Sequence, residues 1–95
     1  MFYNRKEQSK LLSLVMDELS KVKLTDEELA VLEYFLKNIS VGEIIAMNDL
    51  KRLVDVEDPE EILRSLIEKG LIERGEGCYN LASNLRRKVI KHVTF

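Results

Sequence analysis

Carboxylates are the most concentrated reactive side chains of this 95-residue chain, and four lie within one five-residue stretch: Glu57, Asp58, Glu60 and Glu61. Oxygen ligands at this density could bind a divalent cation or form a general acid and base pair. However, Asp58 directly precedes Pro59, a pair typical of a helix start at which the aspartate caps the backbone. We therefore interpret the four carboxylates as a solvated, acidic helix start and predict no bound metal.

Cys78 and His92 are the only cysteine and histidine in the chain. One cysteine cannot form an internal disulfide, and these two residues alone leave a zinc site incomplete. Cys78 has no basic neighbour in the sequence to activate its thiol, so we expect an inert residue, and we expect His92 to be solvated or partly buried. No phosphate-binding loop or nucleophile elbow is present. The sequence therefore predicts a non-catalytic protein without a cofactor or a small-molecule substrate.

Length and composition fit one compact domain that folds in water. The chain is 45% hydrophobic and 34% charged and has a single proline, which fits neither a disordered nor a fibrous protein. No apolar run approaches the roughly 18 residues of a membrane span, and the first residues do not resemble a secretion signal. We therefore expect a cytoplasmic protein that does not contact membranes.

Charge is unevenly distributed although the net charge is only −2. Residues 26–77 contain six basic residues against fourteen acidic ones, whereas residues 78–95 contain four basic residues and no acidic one. Residues 1–25 have a small excess of positive charge. Because phosphate binding depends on where positive charge clusters, the centre of the chain should repel nucleic acid.

Helical periodicity is clear in the first half of the chain. Residues 5–20 have an apolar stripe with charged residues around it, which predicts an amphipathic helix. The strongest start signal follows at Thr25, because Glu28 stands three positions later, as in a capping box. That second helix is expected to end at about Asn38.

The middle of the chain is predicted to form shorter elements. Residues 43–47 are rich in β-favouring side chains, which indicates a short edge strand. Asn48 is then expected to cap a helix that extends through Val54.

The second half begins with a helix predicted over residues 58–69, which Gly70 ends. Residues 71–74 and 78–81 read as two strands around a glycine-rich turn. Ser83 is expected to cap a last helix. The predicted fold is therefore mostly α, within the mixed α+β class.

The stretch from Leu24 to Leu81 resembles the winged helix-turn-helix domain of MarR-like and ArsR-like regulators. The resemblance rests on the helix from Thr25, the short helix after Asn48 and the pattern Leu63-x-x-Leu66-x-x-Lys69-Gly70-Leu71-Ile72, followed by a tight turn and Tyr79-x-Leu81. It implies a winged-helix domain at residues 24–82 with a small β-hairpin wing, flanked by helices within residues 1–23 and 83–95. The pattern is weak for function, because winged helices bind DNA and equally dock on proteins.

In the families that the chain resembles, the third helix of the domain enters the DNA major groove. The matching helix here exposes mainly acidic side chains, whereas base contacts rely on Arg, Lys, Asn or Gln. Each carboxylate held against phosphate costs on the order of 1 kcal/mol in water. The charge therefore favours docking onto a protein with a basic surface, in transcription or replication machinery, through Glu60, Glu61, Arg64, Glu68 and Glu76.

The alternative is a homodimeric DNA-binding transcription regulator, which the resemblance favours and the charge of the third helix does not. Its basic ends would contact the phosphates of duplex DNA through Arg86, Arg87, Lys88 and Lys91, together with Arg5, Lys6 and Lys10. Arg64 and Ser65 would make the few base contacts. The basic residues near the C-terminus could equally serve only the helix dipole and solubility.

The two terminal helices have more apolar surface than a small winged core should cover, which predicts a homodimer. The residues assigned to the dimer contact are Leu12, Val15, Met16, Leu19, Leu85, Val89 and Val93. The two apolar stripes could instead pack on one another within a single chain.

Overall fold

The computed structural model describes residues 12–93, and for residues 91–93 it describes the backbone only. The expectations for the start of the first helix and for Arg5, Lys6 and Lys10 lie outside these residues. The helices are α1 (Met16–Leu19), α2 (Asp26–Asn38), α3 (Glu43–Arg52), α4 (Pro59–Glu68) and α5 (Ser83–Val93). The strands are β1 (Ser40–Gly42), β2 (Ile72–Gly75) and β3 (Cys78–Leu81). The predicted mixed α+β fold is confirmed.

The first predicted helix is interrupted. Residues 12–14 are helical, but Val15 leaves the helical region with φ −117° and ψ 11° before α1 begins. The Val15 N–H donates to the Leu12 carbonyl at 3.1 Å, a three-residue turn that is tighter than an α-helical one. The prediction of one continuous helix was therefore wrong, and the break coincides with the full burial of the Val15 side chain.

Helix α2 begins and ends as predicted. The Thr25 N–H donates to the Glu28 carboxylate at 2.9 Å, and the Glu28 N–H donates to the Thr25 hydroxyl at 3.1 Å. These two bonds form the predicted capping box and satisfy two N–H groups at the helix end. After Asn38 the chain turns through Ile39, which adopts a positive φ of 37°, and enters β1.

The predicted strand at residues 43–47 was wrong, because the strand lies at Ser40–Gly42 and helix α3 begins at Glu43. The Glu43 N–H donates to the Gly77 carbonyl at 2.9 Å, which joins the helix start to the β2–β3 turn. Asn48 is consequently an interior residue of α3 and not its cap, and the helix ends at Arg52. The β-favouring side chains of this segment are not buried in a sheet, so their residue types misled the prediction.

The three strands form one antiparallel sheet in the order β1-β3-β2. Tyr79 in the central strand pairs with Val41 on one side and Arg74 on the other. The β2–β3 hairpin falls within one residue of its predicted position. Gly77, in the hairpin turn, has a φ of +66°, which L side chains rarely adopt.

The hydrophobic core joins the helices to the sheet and includes residues from both terminal helices. Val15, Leu19, Leu85 and Val89, which were assigned to a dimer contact, are buried in this core. Their side chains are covered within the single chain, and the homodimer stays a prediction. Leu12 is half-buried, Met16 is 53% exposed, and the side chain of Val93 lies outside the description.

Ser83 was predicted to cap the last helix, but α5 already includes this residue. Ser83 is the first helical residue, and its N–H and hydroxyl both donate to the Glu73 carboxylate, at 3.0 and 2.9 Å. The start of α5 is thus capped by a side chain from β2.

Candidate functional site

Helix α4 presents an acidic face to solvent. Its first turn is capped, and the side chains on its inner side pack in the core, so its outward positions, which are mostly acidic, are exposed. Asp58 accepts a hydrogen bond from the Glu61 N–H at 3.4 Å, and Pro59 occupies the first helical position. Leu63 and Leu66 are fully buried, so the opposite side of the helix is left to solvent. The side chains exposed there, as predicted, are Glu60, Glu61, Arg64 and Glu68.

Ser65 differs from its predicted outward position. It is half-buried, and its hydroxyl donates to the carboxylate of Glu28 on α2. The side chain assigned to a base contact is thus engaged inside the protein, which leaves Arg64 as the exposed member of that pair.

Glu28 is a buried charged residue that joins α2 to α4, and its burial was not predicted. The Lys69 ammonium lies 2.7 Å from one carboxylate oxygen and 2.8 Å from the other, and it also donates to the Lys23 carbonyl at 2.8 Å. Burial alone would raise the pKa of Glu28, but the hydrogen bonds from Lys69, Ser65 and Thr25 outweigh it and lower the pKa to about 2. Glu28 is therefore an ionised structural residue at neutral pH.

The hairpin lies beside the acidic face of α4. Glu76, the predicted wing residue, is exposed in the turn between β2 and β3. The Arg74 guanidinium lies 5.5 Å from the centre of the Tyr79 ring and also pairs with Glu43 at the start of α3. Burial raises the pKa of the Tyr79 hydroxyl, so this ring is neutral in the physiological range.

A groove of about 350 Å³ runs between α3, α4 and the sheet, and its lining joins residues that are far apart in the sequence. It is lined by Glu43, Ile44, Met47, Asn48, Glu60, Arg74 and Tyr79. A smaller recess of about 100 Å³ shares Glu60, Arg74 and Tyr79 and adds Arg64 and Ile67. Two residues of the predicted docking face, Glu60 and Arg64, thus border apolar and aromatic side chains.

Helix α3, which lines this groove through Ile44, has a feature that sequence reasoning missed. Ile44 and Ile45 are 77% and 59% exposed, although isoleucine is among the residues most often buried. Both lie in the first turn of α3, the segment that was predicted to be a strand. A signal was present in the sequence, since two adjacent isoleucines on a helix point in directions about 100° apart and cannot both follow one narrow apolar stripe.

A second, acidic cleft of about 410 Å³ lies where α2 and α4 begin. Its carboxylates include Glu27, Glu57, Asp58 and Glu61, so the predicted acidic helix start faces a further acid from α2. Among the residues that the structure describes, no group of three or more histidine, cysteine or acidic side chains is arranged to hold a metal ion. Cys78 is half-buried in β3.

The basic residues of α5 are partly neutralised by acids from other elements. Lys88 lies 3.3 Å from Glu18 of α1, and Arg86 lies 4.0 Å from Glu73 of β2. Hydrogen bonds from Lys88 and Asn84 lower the pKa of Glu18, which therefore stays ionised beside α5. Arg87 is exposed, whereas the side chains of Lys91 and His92 are not among those that the structure describes. The predicted phosphate-binding cluster is thus less positive than its sequence indicates.

None of the helices in the described part of the chain is long and apolar enough to span a membrane. A protein-family model described as PolB1 Binding Protein 2 matches residues 25–87, which extend from the cap of α2 into α5. No curated protein matches the chain.

Proposed function

This chain belongs to the PolB1 Binding Protein 2 family, and from that premise we propose that it is a non-catalytic module that binds the polymerase PolB1. The family description names a binding protein and no reaction. The proposal agrees with the earlier inference from charge, which favoured a protein partner over DNA. Of the two settings predicted from the sequence, replication and transcription machinery, a PolB1 partner favours replication.

We place the contact on the exposed face of α4 and on the hairpin, through Glu60, Glu61, Arg64, Glu68 and Glu76. The observation that carries this assignment is that α4 presents three carboxylates and one arginine to solvent. A face of this kind attracts a basic surface and repels phosphate. The partner surface on the polymerase is therefore expected to be rich in lysine and arginine.

The same module is proposed to be a winged helix. The order of α2, β1, α3, α4 and the β2–β3 hairpin supports this, as does the antiparallel order β1-β3-β2. In that comparison α4 takes the place of the helix that enters DNA in regulators. We propose that this chain uses the same element for a protein partner, because the charge of α4 is unsuited to a phosphate backbone.

Calorimetric titration of purified PolB1 with the wild-type chain tests the function. The test of the surface compares Glu60→Gln/Glu68→Gln with the control Asp17→Asn/Asp26→Asn, which removes the same charge from exposed positions on α1 and α2. We expect wild-type binding, about tenfold weaker binding by the α4 variant and near wild-type binding by the control. Absence of binding by the wild-type chain overturns the proposed function. Equal weakening by both variants overturns the assignment to α4.

A further inference from the structure

We propose that Ile44 and Ile45 are the apolar anchor of the polymerase contact and receive a large apolar side chain from a basic segment of PolB1. This inference rests on the proposed function and extends the contact from α4 to α3. It assigns a role to the two most exposed large hydrophobic side chains among the described residues.

Leaving two large apolar side chains in water is unfavourable compared with burying them in a complex. Ile44 and Ile45 are adjacent in the first turn of α3 and are both exposed, and together they are called the apolar patch. Helix α3 gains nothing from isoleucine at exposed positions, since alanine has the higher helix propensity. The pair is therefore better explained by a contact outside the chain than by the stability of the fold.

The geometry of the groove joins this patch to the proposed docking face. Ile44 lines the same groove as Met47, Tyr79 and Glu60, and Glu60 belongs to α4. Productive protein contacts have an apolar centre surrounded by a polar rim that excludes water. Here Ile44 and Met47 supply the apolar lining, Ile45 is exposed beside Ile44, and the acids of α4 and the hairpin supply the rim.

Charge identifies the chemistry of the occupant. Among the described residues that line the groove with Ile44, the one basic side chain, Arg74, already pairs with Glu43, whereas Glu60 remains exposed. The charge left unpaired in the groove lining is therefore that of Glu60, which is negative, so the segment that enters should carry lysine or arginine beside its apolar side chain. A second copy of this chain is a poor occupant, because a symmetric contact through this face would bring the two acidic helices together.

Binding of purified PolB1 to Ile44→Ala/Ile45→Ala, with Met16→Ala as the control, tests the anchor. Met16 is 53% exposed on α1, outside the groove, and alanine suits a helix at all three positions. We expect the isoleucine variant to bind at least about tenfold more weakly and the Met16 variant to bind as the wild type does. The weakening should persist at both 0.1 and 0.5 M salt. The Debye length falls from about 10 Å to about 4 Å between these concentrations, which weakens interactions of the carboxylates but not an apolar contact.

The outcomes separate this inference from the proposed function. If the wild-type chain does not bind PolB1, the proposed function fails and the anchor fails with it. If the wild type binds and Ile44→Ala/Ile45→Ala binds equally well, the anchor alone is wrong. A wild-type dimer that the alanine pair dissociates would show that a second copy covers the patch. A photo-reactive amino acid at position 45 should label a lysine- or arginine-rich segment of PolB1, and labelling of an acidic segment would contradict the stated chemistry.

Discussion

The Lys69 ammonium lies 2.7 Å from the Glu28 carboxylate and joins the end of α4 to the first turn of α2 across 41 residues of sequence. Glu28 is almost fully buried, and it also accepts hydrogen bonds from Thr25 and Ser65. Removing one partner of a buried, hydrogen-bonded ion pair leaves the other without its compensating charge. This pair therefore holds in place the helix that carries the proposed docking face.

Substitution Glu28→Gln should lower the free energy of unfolding by about 1–3 kcal/mol at pH 7. The folded-state pKa of about 2 lies below the unfolded value of 4.5, so the ionised carboxylate stabilises the fold above pH 4.5. That contribution is about 3 kcal/mol by linkage, and it is lost as the pH falls from 4.5 towards 2. Urea denaturation at several pH values should therefore show wild type and variant converging in acid. The exposed neighbour Glu27→Gln is the control, and a constant difference from pH 7 to pH 2 would contradict the role of Glu28.

Glu73→Ala should destabilise the start of α5. Hydrogen bonds from the Ser83 N–H and hydroxyl lower the pKa of Glu73, so the carboxylate accepts both bonds in its ionised form at neutral pH. Loss of a helix cap costs about 1 kcal/mol. Thermal unfolding monitored by circular dichroism measures the change, with Glu76→Ala at the hairpin turn as the control. Equal midpoints for the two variants would show that Glu73 does not cap the helix.

Leu85→Ala should cost about 2–5 kcal/mol of stability, because the side chain is fully buried within one chain. The control is Arg87→Ala, an exposed change on the same helix that should alter stability by less than about 0.5 kcal/mol. Denaturation at two protein concentrations tests the intramolecular role of Leu85. A destabilisation that grows on dilution would indicate that this residue stabilises a dimer.

Duplex DNA should bind the chain weakly and without sequence preference. The exposed acids of α4 repel phosphate, while acids from α1 and β2 partly neutralise Arg86 and Lys88. Fluorescence anisotropy with labelled duplex should show binding only at low salt, with a steep salt dependence. Replacing Arg86, Arg87 and Lys88 with alanine should abolish that binding. Sequence-selective, submicromolar affinity at physiological salt would favour the regulator interpretation instead.

Local signals made much of the fold predictable. The capping pair Thr25 and Glu28, the Asp58–Pro59 start and the glycine-rich hairpin act between close neighbours in the sequence, and each appears in the structure. The prediction for residues 43–47 was wrong because their residue types favour a strand, whereas in the structure they form a helix that follows Gly42 and whose first N–H donates to the hairpin turn.

The site was less predictable than the fold because it depends on contacts over long sequence distances. Glu60 was correctly placed on an exposed face, since helical periodicity fixes the outer side of α4. The ion pair between Glu28 and Lys69 and the groove that brings Ile44 to Glu60 each join residues from different elements. No local pattern encodes such contacts. The partner class, in contrast, followed from the sign of the charge on α4 and agrees with the family description.

Hydrogen exchange of the wild-type chain, alone and in complex with PolB1, tests the central claim most directly. The amides of α4 and of the β2–β3 hairpin should gain protection in the complex, and so should those of the first turn of α3. Helix α5 should change little. Protection confined to α5 and α1, with α4 unchanged, would contradict the claim that the acidic face of α4 is the surface that binds the polymerase.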